Sequence, residues 1–429
     1  MGNRFKISRY LTTFQLTRGF LAALSASAFL YLAWIGYAYR LPNTILGILS
    51  LFLLLSSDRK VWLVYGFFIG IFWFWWITMS FRFYGFPWAI PLAILLIALI
   101  YGFLFWAAGT LSEYFGKKIA LDSVWPKALF LWGTSYLHPF GFDWFKPELI
   151  FVESYLGIEK WQFALVLASV ALAIHKRNML YLLCLLFAYQ PMSVVQNDQI
   201  DLPKIKLVTT WIPVDEKWNP RMLPAQIRLV ERHIDEAIGK GKKLIIFPES
   251  VLPLFLNTKP DLLSTLKERS KKIAIVLGSL KWDDGIPRNS SYILRNGSVR
   301  IIDKVVLVPF GESNPLPDWL GKIVNRIFYD GAVDYQANSD ISDYKLGGQS
   351  YRNAICYEAC SETLYVGKPQ NMIVLSNNGW FVPSIEPTEQ RLLLQYYSRK
   401  YGTTIYHSVN MSPSYMIRNG RVVWSDMGE

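Results

Sequence analysis

The pattern of hydrophobic positions changes about halfway along the chain. Before about residue 195, long apolar runs follow one another with few charges inside them, whereas shorter apolar runs alternate with charged residues after that point. Long runs are typical of helices that cross a membrane, and the mixed pattern is typical of an α/β domain. We therefore predict a transmembrane helical domain over 1–195 and a second, α/β domain over 203–429.

Seven apolar segments of the first domain are candidate membrane spans. Four of them are shorter than the ~20 residues that a helical span needs, so about seven spans are predicted. The segments are Gly19–Tyr39, Asn43–Ser56, Val61–Ser80, Pro87–Leu111, Ser123–Leu137, Phe163–Ala173 and Met179–Ala188.

Basic residues are concentrated in alternate connections between these segments. Four basic residues precede the first segment, and basic pairs occupy every second connection: Arg59 with Lys60, Lys117 with Lys118, and Lys176 with Arg177. Because such residues stay on the cytoplasmic side, we expect a cytoplasmic N-terminus and an extracytoplasmic second domain after an odd number of spans. A cleavable signal peptide is the alternative for the first run, but further apolar runs follow it.

Composition narrows the classes of partner and cofactor. The chain is 52% hydrophobic, which supports a membrane part, and its formal charge is +12. Many of the basic residues flank apolar runs, where they meet lipid headgroups, so no nucleic-acid partner is predicted. Cys184 lies in an apolar run, and Cys356 with Cys360 lacks a histidine at zinc-ligand spacing. With no phosphate-binding or dinucleotide-binding motif either, we predict no metal and no cofactor.

Strands and helices alternate in the second domain, which predicts an α/β sheet with its reactive residues at strand ends. The predicted elements are a strand at Ile205–Thr210, a helix containing Ile227, Val230, Ile234 and Ile238, a strand at Leu244–Phe247, a helix at Asp261–Lys271, a strand at Ile273–Leu280, a hairpin of Ser291–Arg295 and Val299–Lys304, strands at Ser350–Cys356 and Met372–Ser376, a helix near Thr388–Arg399, a strand at Thr404–Asn410 and a last hairpin at Asn419–Gly420.

Three reactive side chains lie at the ends of predicted strands: Glu249 comes just after one, and Lys304 and Cys356 are the last residues of two others. A thiol with a pKa near 8.5 is mostly protonated at neutral pH, so a nucleophilic cysteine needs a base or a nearby positive charge. Glu249 can take the proton, and Lys304 can stabilise the thiolate and an oxyanion together with a backbone N–H such as that of Tyr357. Taken singly, each residue could instead be structural: a capping carboxylate, a surface lysine and a buried thiol.

At these residues the sequence resembles the carbon–nitrogen hydrolase (nitrilase) superfamily, and more closely its membrane branch, the apolipoprotein N-acyltransferases. The resemblance covers essentially the whole chain. Besides the multispan N-terminal part, the motifs that carry it are Lys217-Trp218, Pro248-Glu249-Ser250, Asn289, Lys304 leading into Leu307-Val308-Pro309-Phe310-Gly311-Glu312, Cys356-Tyr357-Glu358, and Ser376-Asn377-Asn378-Gly379-Trp380-Phe381.

This resemblance implies a multispan α-helical membrane domain joined to a nitrilase-like α-β-β-α sandwich, and it implies roles for individual residues. Glu249 resembles the general base, Lys304 the electrostatic stabiliser and Cys356 the nucleophile. The implied supporting residues are Glu312, which would orient the lysine, Glu358 and Tyr357, and the implied substrate-binding residues are Trp218, Asn289 and Trp380.

The implied reaction has two steps at a bacterial inner membrane, with the catalytic domain facing the periplasm. Cys356 would take an acyl chain from a phospholipid, and the amine of a diacylglyceryl-cysteine lipoprotein would then receive it. The alternatives are a membrane-anchored amidase or nitrilase that hydrolyses a C–N bond, acyl transfer to another amine, and a catalytically inactive binding module tethered to the membrane.

Two apolar stretches, Val251–Leu256 and Leu316–Phe328, are expected to contact lipid chains, with ordinary core packing as the alternative. The sequence also departs from the family pattern. Glu389-Gln390-Arg391 stands where a Gln-His pair is common, and no apolar run forms the last transmembrane helix that the family usually has.

Overall fold

The computed structural model describes residues 11–138, 142–190, 204–309, 311–312 and 335–426. Contacts within the chain divide it into two compact units. The first, the helical unit, comprises Met1–Leu137, Phe145–Met192 and Pro383–Leu392. The second, the sheet unit, comprises His138–Trp144, Ser193–Val382 and Leu393–Glu429. Two short segments, His138–Trp144 and Pro383–Leu392, therefore belong to a different unit from the residues on either side of them in sequence.

Six α-helices and several 3₁₀ segments form the described part of the helical unit. The helices are α1 (Thr13–Trp34), α2 (Arg40–Leu55), α3 (Arg59–Phe74), α4 (Ile90–Lys118), α5 (Val124–Thr134) and α6 (Lys160–Lys176), and the 3₁₀ segments are Trp75–Arg82, Pro87–Ala89, Pro147–Phe151 and Met179–Ala188. Among the described residues, three stretches are long and apolar enough to cross a membrane: Thr13–Trp34, Arg59–Arg82 and Pro87–Lys118. Arg40–Leu55 and Met179–Ala188 are shorter apolar helices.

The first helix begins and ends earlier than its hydrophobic run predicted. Thr12 and Gln15 form a reciprocal capping box that starts α1 at Thr13, six residues before the predicted start. The helix ends at Trp34, and Gly36 follows with a φ of +83°, a conformation that glycine adopts without strain. The predicted end at Tyr39 is therefore wrong, because apolar residues continue beyond the turn.

Helices α3 and α4 approach each other closely because glycines lie in their interface. A Cβ atom on Gly66 would lie 2.4 Å from the Tyr101 carbonyl oxygen, and one on Gly70 would lie 2.9 Å from Ala98 Cα. Small residues are the usual means by which membrane helices bring their backbones together, since apolar burial alone gives little preference in lipid. Larger side chains at Gly66 or Gly70 would separate these helices.

Two six-stranded sheets form the centre of the sheet unit. The first has the order β1-β2-β4-β5-β6, with β3 paired to β4, and the second has the order β12-β11-β10-β9-β8-β7. The strands are β1 (Ile205–Leu207), β2 (Leu244–Ile246), β3 (Leu252–Phe255), β4 (Ala274–Asp283), β5 (Ile286–Arg295), β6 (Ser298–Asp303), β7 (Asp343–Leu346), β8 (Gln349–Ile355), β9 (Asn371–Asn377), β10 (Thr404–Asn410), β11 (Tyr415–Arg418) and β12 (Arg421–Ser425).

The sheets pack face to face, and helices cover them. Side chains from both sheets, such as Ile246, Val276, Leu375 and Tyr406, share one buried cluster. A second cluster packs the first sheet against its helices. The helices of this unit are α7 (Val214–Lys217), α8 (Leu223–Gly239), α9 (Pro260–Arg269) and, in the second half of its length, α10 (Glu386–Tyr401). The predicted architecture, apolar helices long enough to cross a membrane together with an α-β-β-α sandwich, is confirmed.

Some predictions about individual segments were wrong. Regular pairing in the first strand stops at Leu207 rather than Thr210, which retains an isolated bridge to Asn410. The stretch Val251–Leu256 contains β3, and Val251, Leu252, Leu254 and Leu256 are buried in the sheet-unit core. Its expected role in contacting lipid chains is therefore replaced by core packing. The other such stretch, 316–328, lies outside the described residues.

Candidate active site

Glu249 follows strand β2 and is held through both its backbone and its side chain. Lys217 Nζ donates to the Glu249 carbonyl oxygen at 2.9 Å, and Asn289 Nδ2 donates to Glu249 Oε1 at 2.7 Å. Gly278 on β4 allows this close approach, because a Cβ there would lie 2.6 Å from Glu249 Cα and 2.5 Å from the Ser250 nitrogen. The carboxylate is thus fixed beside the end of the first sheet.

Lys304 directly follows β6 and is only 1% exposed. Its Nζ lies 2.7 Å from Glu312 Oε2, an ion pair that compensates for burying the charge. Asn289 Nδ2 also donates to Glu312 Oε1, at 3.0 Å. One amide group therefore bridges the carboxylates of Glu249 and Glu312 and links the candidate base to the candidate lysine.

Cys356 follows β8 and begins the 3₁₀ segment Cys356–Cys360. Its φ of +55° is unusual for a residue with a side chain, and such backbone strain is concentrated at functional sites. The thiol-bearing residue is partly exposed, whereas Cys360 is buried. A sharp change in backbone direction thus presents Cys356 at the end of the second sheet.

Glu358 connects the segment that follows Lys304 to the segment that contains Cys356. Its Oε2 accepts hydrogen bonds from the backbone nitrogens of Val305 and Val306 at 2.9 and 3.2 Å, and its Oε1 accepts one from Ile355 at 2.9 Å. Because these donors lie directly after Lys304 and directly before Cys356, the carboxylate joins the two segments to each other.

The charges of these groups influence one another strongly. Burial alone would lower the pKa of Lys304, but Glu312, Glu249, Cys356 and Glu358 surround it and hold that pKa above its usual value, so the amine stays cationic. Burial raises the pKa of Glu249 despite the opposing effect of Lys304. Burial also raises the pKa of Glu358 to about 7, against the effects of Lys304 and the three backbone donors.

The remaining predicted residues lie at different positions around this cluster. Tyr357 is buried, and its hydroxyl accepts a hydrogen bond from the Asp143 backbone nitrogen at 3.0 Å. Trp218 is 37% exposed just after α7, and Trp380 is partly exposed at the end of the 3₁₀ segment Asn378–Trp380. The substrate-binding roles of the two tryptophans and of Asn289 stay predictions, as do the catalytic and supporting roles.

Two contributors to the site were not singled out from the sequence. Lys217 contacts Glu249, and burial lowers the pKa of Lys217 to about 8 although Glu249 opposes that shift. Asp143 contacts Tyr357 from a segment 214 residues earlier in the chain. Only the adjacency of Lys217 to Trp218 within a family motif pointed to the first, and nothing in the local sequence pointed to the second.

The cluster contains the groups that cysteine-based acyl transfer requires. A buried carboxylate can accept a proton, a lysine with a raised pKa can stabilise negative charge, and a partly exposed thiol can attack a carbonyl carbon. Within the described residues, no group of three His, Cys, Asp or Glu side chains is arranged to hold a metal ion. The chain thus combines apolar helices long enough to cross a membrane with an α-β-β-α sandwich that carries a candidate site for cysteine-based acyl transfer.

Comparison with known proteins identifies the family within this class. The family model described as the apolipoprotein N-acyltransferase integral membrane domain matches residues 13–192. Apolipoprotein N-acyltransferase of Wolinella succinogenes is 41% identical over 92% of this chain and 94% of its own length. The Helicobacter pylori protein of the same name is 37% identical over 87% of both chains, and that of Campylobacter jejuni is 31% identical over 98% of this chain and 93% of its own.

The chain belongs to the apolipoprotein N-acyltransferase family, and it is an acyltransferase. Among solved structures, a CN-hydrolase superfamily protein from Xanthomonas campestris aligns with a TM-score of 0.40 and 13% identity, over 52% of this chain and 84% of its own.

Proposed function

We propose that this protein transfers a fatty acyl chain from a phospholipid, through a thioester on Cys356, to the N-terminal amine of diacylglyceryl-cysteine lipoproteins. The observation that carries the proposal is the position of Lys304, a buried cation whose charge interacts with Glu249, Glu312 and Cys356 together. The names of the relatives support an apolipoprotein as the acceptor.

In the first step, Glu249 accepts the thiol proton and the Cys356 sulfur attacks the ester carbonyl carbon of the phospholipid. The carbonyl oxygen becomes negatively charged, and Lys304 with the Tyr357 backbone N–H stabilises that charge. The ester C–O bond then breaks, and the proton passes from Glu249 to the departing glycerol oxygen. The products are a lysophospholipid and an acyl-thioester on Cys356.

In the second step, the acceptor amine attacks the thioester carbonyl carbon. The attacking amine has to be neutral, and an α-amino group has a pKa of about 8, so a sizeable minority is neutral at pH 7.5. Glu249 accepts the proton that the amine loses as the C–N bond forms. The C–S bond breaks, the positive charge of Lys304 stabilises the departing thiolate, and Glu249 returns the proton to it.

The amidase alternative would use the same three residues but would need no lipid. An amidase would transfer its acyl group to water, so its thioester would be short-lived and its substrates would be small and soluble. The chain is similar over most of its length to proteins named as N-acyltransferases, and this similarity favours transfer to an amine over hydrolysis.

We also propose that the chain resides in a bacterial inner membrane with the sheet unit on the periplasmic side. The basic pairs in alternate connections of the helical unit support this orientation. Lys240 is an exposed residue of the sheet unit, just after α8. In intact spheroplasts, a Lys240→Cys variant should react with a membrane-impermeant maleimide. Labelling only after lysis would contradict the orientation.

A transfer assay tests the function. Full-length protein in mixed micelles would receive a phospholipid with an isotope-labelled acyl chain and a diacylated lipopeptide acceptor. Label should appear on the lipopeptide amine with wild type and with Cys184→Ala, a matched cysteine in the helical unit, and it should be absent with Cys356→Ala. Release of labelled free fatty acid without lipopeptide labelling, together with hydrolysis of small amides, would favour the amidase.

A further inference from the structure

A short segment between α5 and α6 belongs to the sheet unit rather than to the helical unit that contains its neighbours in sequence. This segment is His138–Trp144, and it contains Asp143, whose side chain is almost fully buried. A buried carboxylate is costly unless it accepts hydrogen bonds or pairs with a cation, so its partners indicate what holds it there. One of those partners is the backbone of Glu362, six residues after Cys356.

The Asp143 carboxylate binds two parts of the sheet unit. Its Oδ2 accepts a hydrogen bond from the Glu362 backbone nitrogen at 2.9 Å and one from the Tyr397 hydroxyl at 3.3 Å. Its Oδ1 lies 2.7 Å from His138 Nδ1. Glu362 begins the 3₁₀ segment directly after the one that Cys356 begins. The carboxylate thus anchors Asp143 and His138 to the sheet unit, in part beside the segments that follow the nucleophile.

The backbone of the same residue holds Tyr357. The Asp143 nitrogen donates to the Tyr357 hydroxyl at 3.0 Å. The ring of Trp144 is parallel to that of Tyr357 within 4°, and the ring of Phe142 within 22°, with centroids 6.3 and 6.4 Å away. Phe142, Asp143 and Trp144 therefore hold the side chain of Tyr357, the residue after Cys356.

We propose that Asp143 is a positioning residue for acylation of Cys356. Its carboxylate anchors the segment, the segment fixes the Tyr357 side chain through the Asp143 N–H, and the fixed side chain keeps the Tyr357 backbone N–H aimed at the developing oxyanion. This inference rests on the proposed function only in that Cys356 must form an acyl-thioester. It does not depend on which acyl donor or acceptor is natural.

Acylation and alkylation of Cys356 should respond differently to a change at Asp143, whereas a general loss of structure would slow both. In the proposed mechanism Glu249 takes the thiol proton and Lys304 stabilises the thiolate, and these two residues follow strands β2 and β6 rather than β8. Alkylation of Cys356 by iodoacetamide needs the thiolate but no oxyanion stabilisation, whereas acylation by an ester needs both. Loosening of Tyr357 should therefore slow acylation while leaving alkylation nearly unchanged.

The test uses purified full-length protein in detergent with p-nitrophenyl butyrate as an activated acyl donor. The burst of p-nitrophenolate gives the acylation rate, and intact-protein mass spectrometry gives the iodoacetamide rate. The variants are Asp143→Ala, Asp143→Asn, Tyr357→Phe and the double variant Asp143→Ala/Tyr357→Phe. Asp261→Asn is the control, because it changes an exposed carboxylate on α9.

Asp143→Ala should slow the burst by roughly 10- to 100-fold, as misplacement of a catalytic group by about 1 Å does, and alkylation should change by less than about threefold. Asp143→Asn keeps one acceptor oxygen and should be intermediate. The double variant should be no slower than the slower single variant, because both act through one hydrogen bond. The proposal would be overturned if Asp143→Ala slowed the burst and the alkylation equally. It would also be overturned if the burst of the double variant were slowed by the product of the two single-variant factors.

The proposed function can fail separately in this design. If wild type shows the burst and the Asp143 dependence but never accepts an acyl chain from a phospholipid, the positioning role stands and the lipid donor is wrong. If phospholipid acylates wild type and Asp143→Ala at equal rates, the positioning role is wrong and the donor stands.

Discussion

Replacing Glu312 with Gln should disable the site without changing its shape. The carboxylate pairs with Lys304 Nζ at 2.7 Å and also accepts hydrogen bonds from Asn289 at 3.0 Å and from the Val308 backbone nitrogen at 2.9 Å. Glutamine has the same length, but it carries no charge and has only one acceptor oxygen. Lys304 would then keep its burial and lose its nearest counter-charge.

The magnitude follows from the burial of the lysine. Removing one partner of a buried ion pair costs about 3–5 kcal/mol, and the low end applies because Glu249 and Glu358 remain near Lys304. If the transition state of acylation loses about 3 kcal/mol of stabilisation, the acylation rate falls roughly 100-fold, since 1.36 kcal/mol is a factor of ten. The p-nitrophenolate burst measures that rate, and thermal unfolding checks that the protein folds.

An exposed ion pair of equal length supplies the control. Lys271 Nζ lies 2.7 Å from Glu268 Oε2, but the two side chains are 57% and 66% exposed. Water screens such a pair, so Glu268→Gln should leave the burst within about twofold. A Glu312→Gln protein that is folded and within about threefold of wild type would refute the electrostatic role assigned to this carboxylate.

Three further perturbations test other parts of the account. Gly278→Ala places a Cβ 2.6 Å from Glu249 Cα, so the burst should fall at least about tenfold in a soluble, folded variant, and an unchanged burst would contradict the tight fit. Burial raises the pKa of Glu249, and its hydrogen bond from Asn289 lowers that pKa, so the burst rate should rise with pH through a pKa above 4.5. Asn289→Ala should move this rise to higher pH. A pH profile that does not move would exclude Glu249 as the titrating base. Leu252→Ala should cost about 2–5 kcal/mol of unfolding free energy, read by denaturant titration, whereas a lipid-contacting residue would change lipid binding with little loss of stability.

The sequence predicted the strand ends of the candidate site because each has a simple local pattern. A buried strand followed by a polar residue puts Glu249, Lys304 and Cys356 where sheets present reactive groups. Hydrophobic periodicity likewise predicted α8 and the strand at Thr404–Asn410, whose bounds the structure reproduces. These features depend on residues that are neighbours along the chain.

Other features depend on contacts between distant residues, which no local pattern encodes. The bridge that Asn289 makes between two carboxylates needs the register of β5 against β6, and the link from Asp143 to Tyr357 joins residues 214 positions apart. The apolar run Val251–Leu256 could equally have faced lipid or a protein core, because both environments favour the same side chains. The pairing of this run as β3 and the burial of its side chains in the sheet-unit core distinguish the two.

Intact-protein mass spectrometry tests the central claim most directly. Full-length wild type and Cys356→Ala would be incubated with phospholipid vesicles, and a diacylated lipopeptide would then be added. If Cys356 carries the acyl chain, wild type alone should gain the mass of one acyl chain, and that mass should disappear as the lipopeptide gains it. An acylated lipopeptide formed by Cys356→Ala, or a wild-type adduct that the lipopeptide does not remove, would contradict transfer through Cys356.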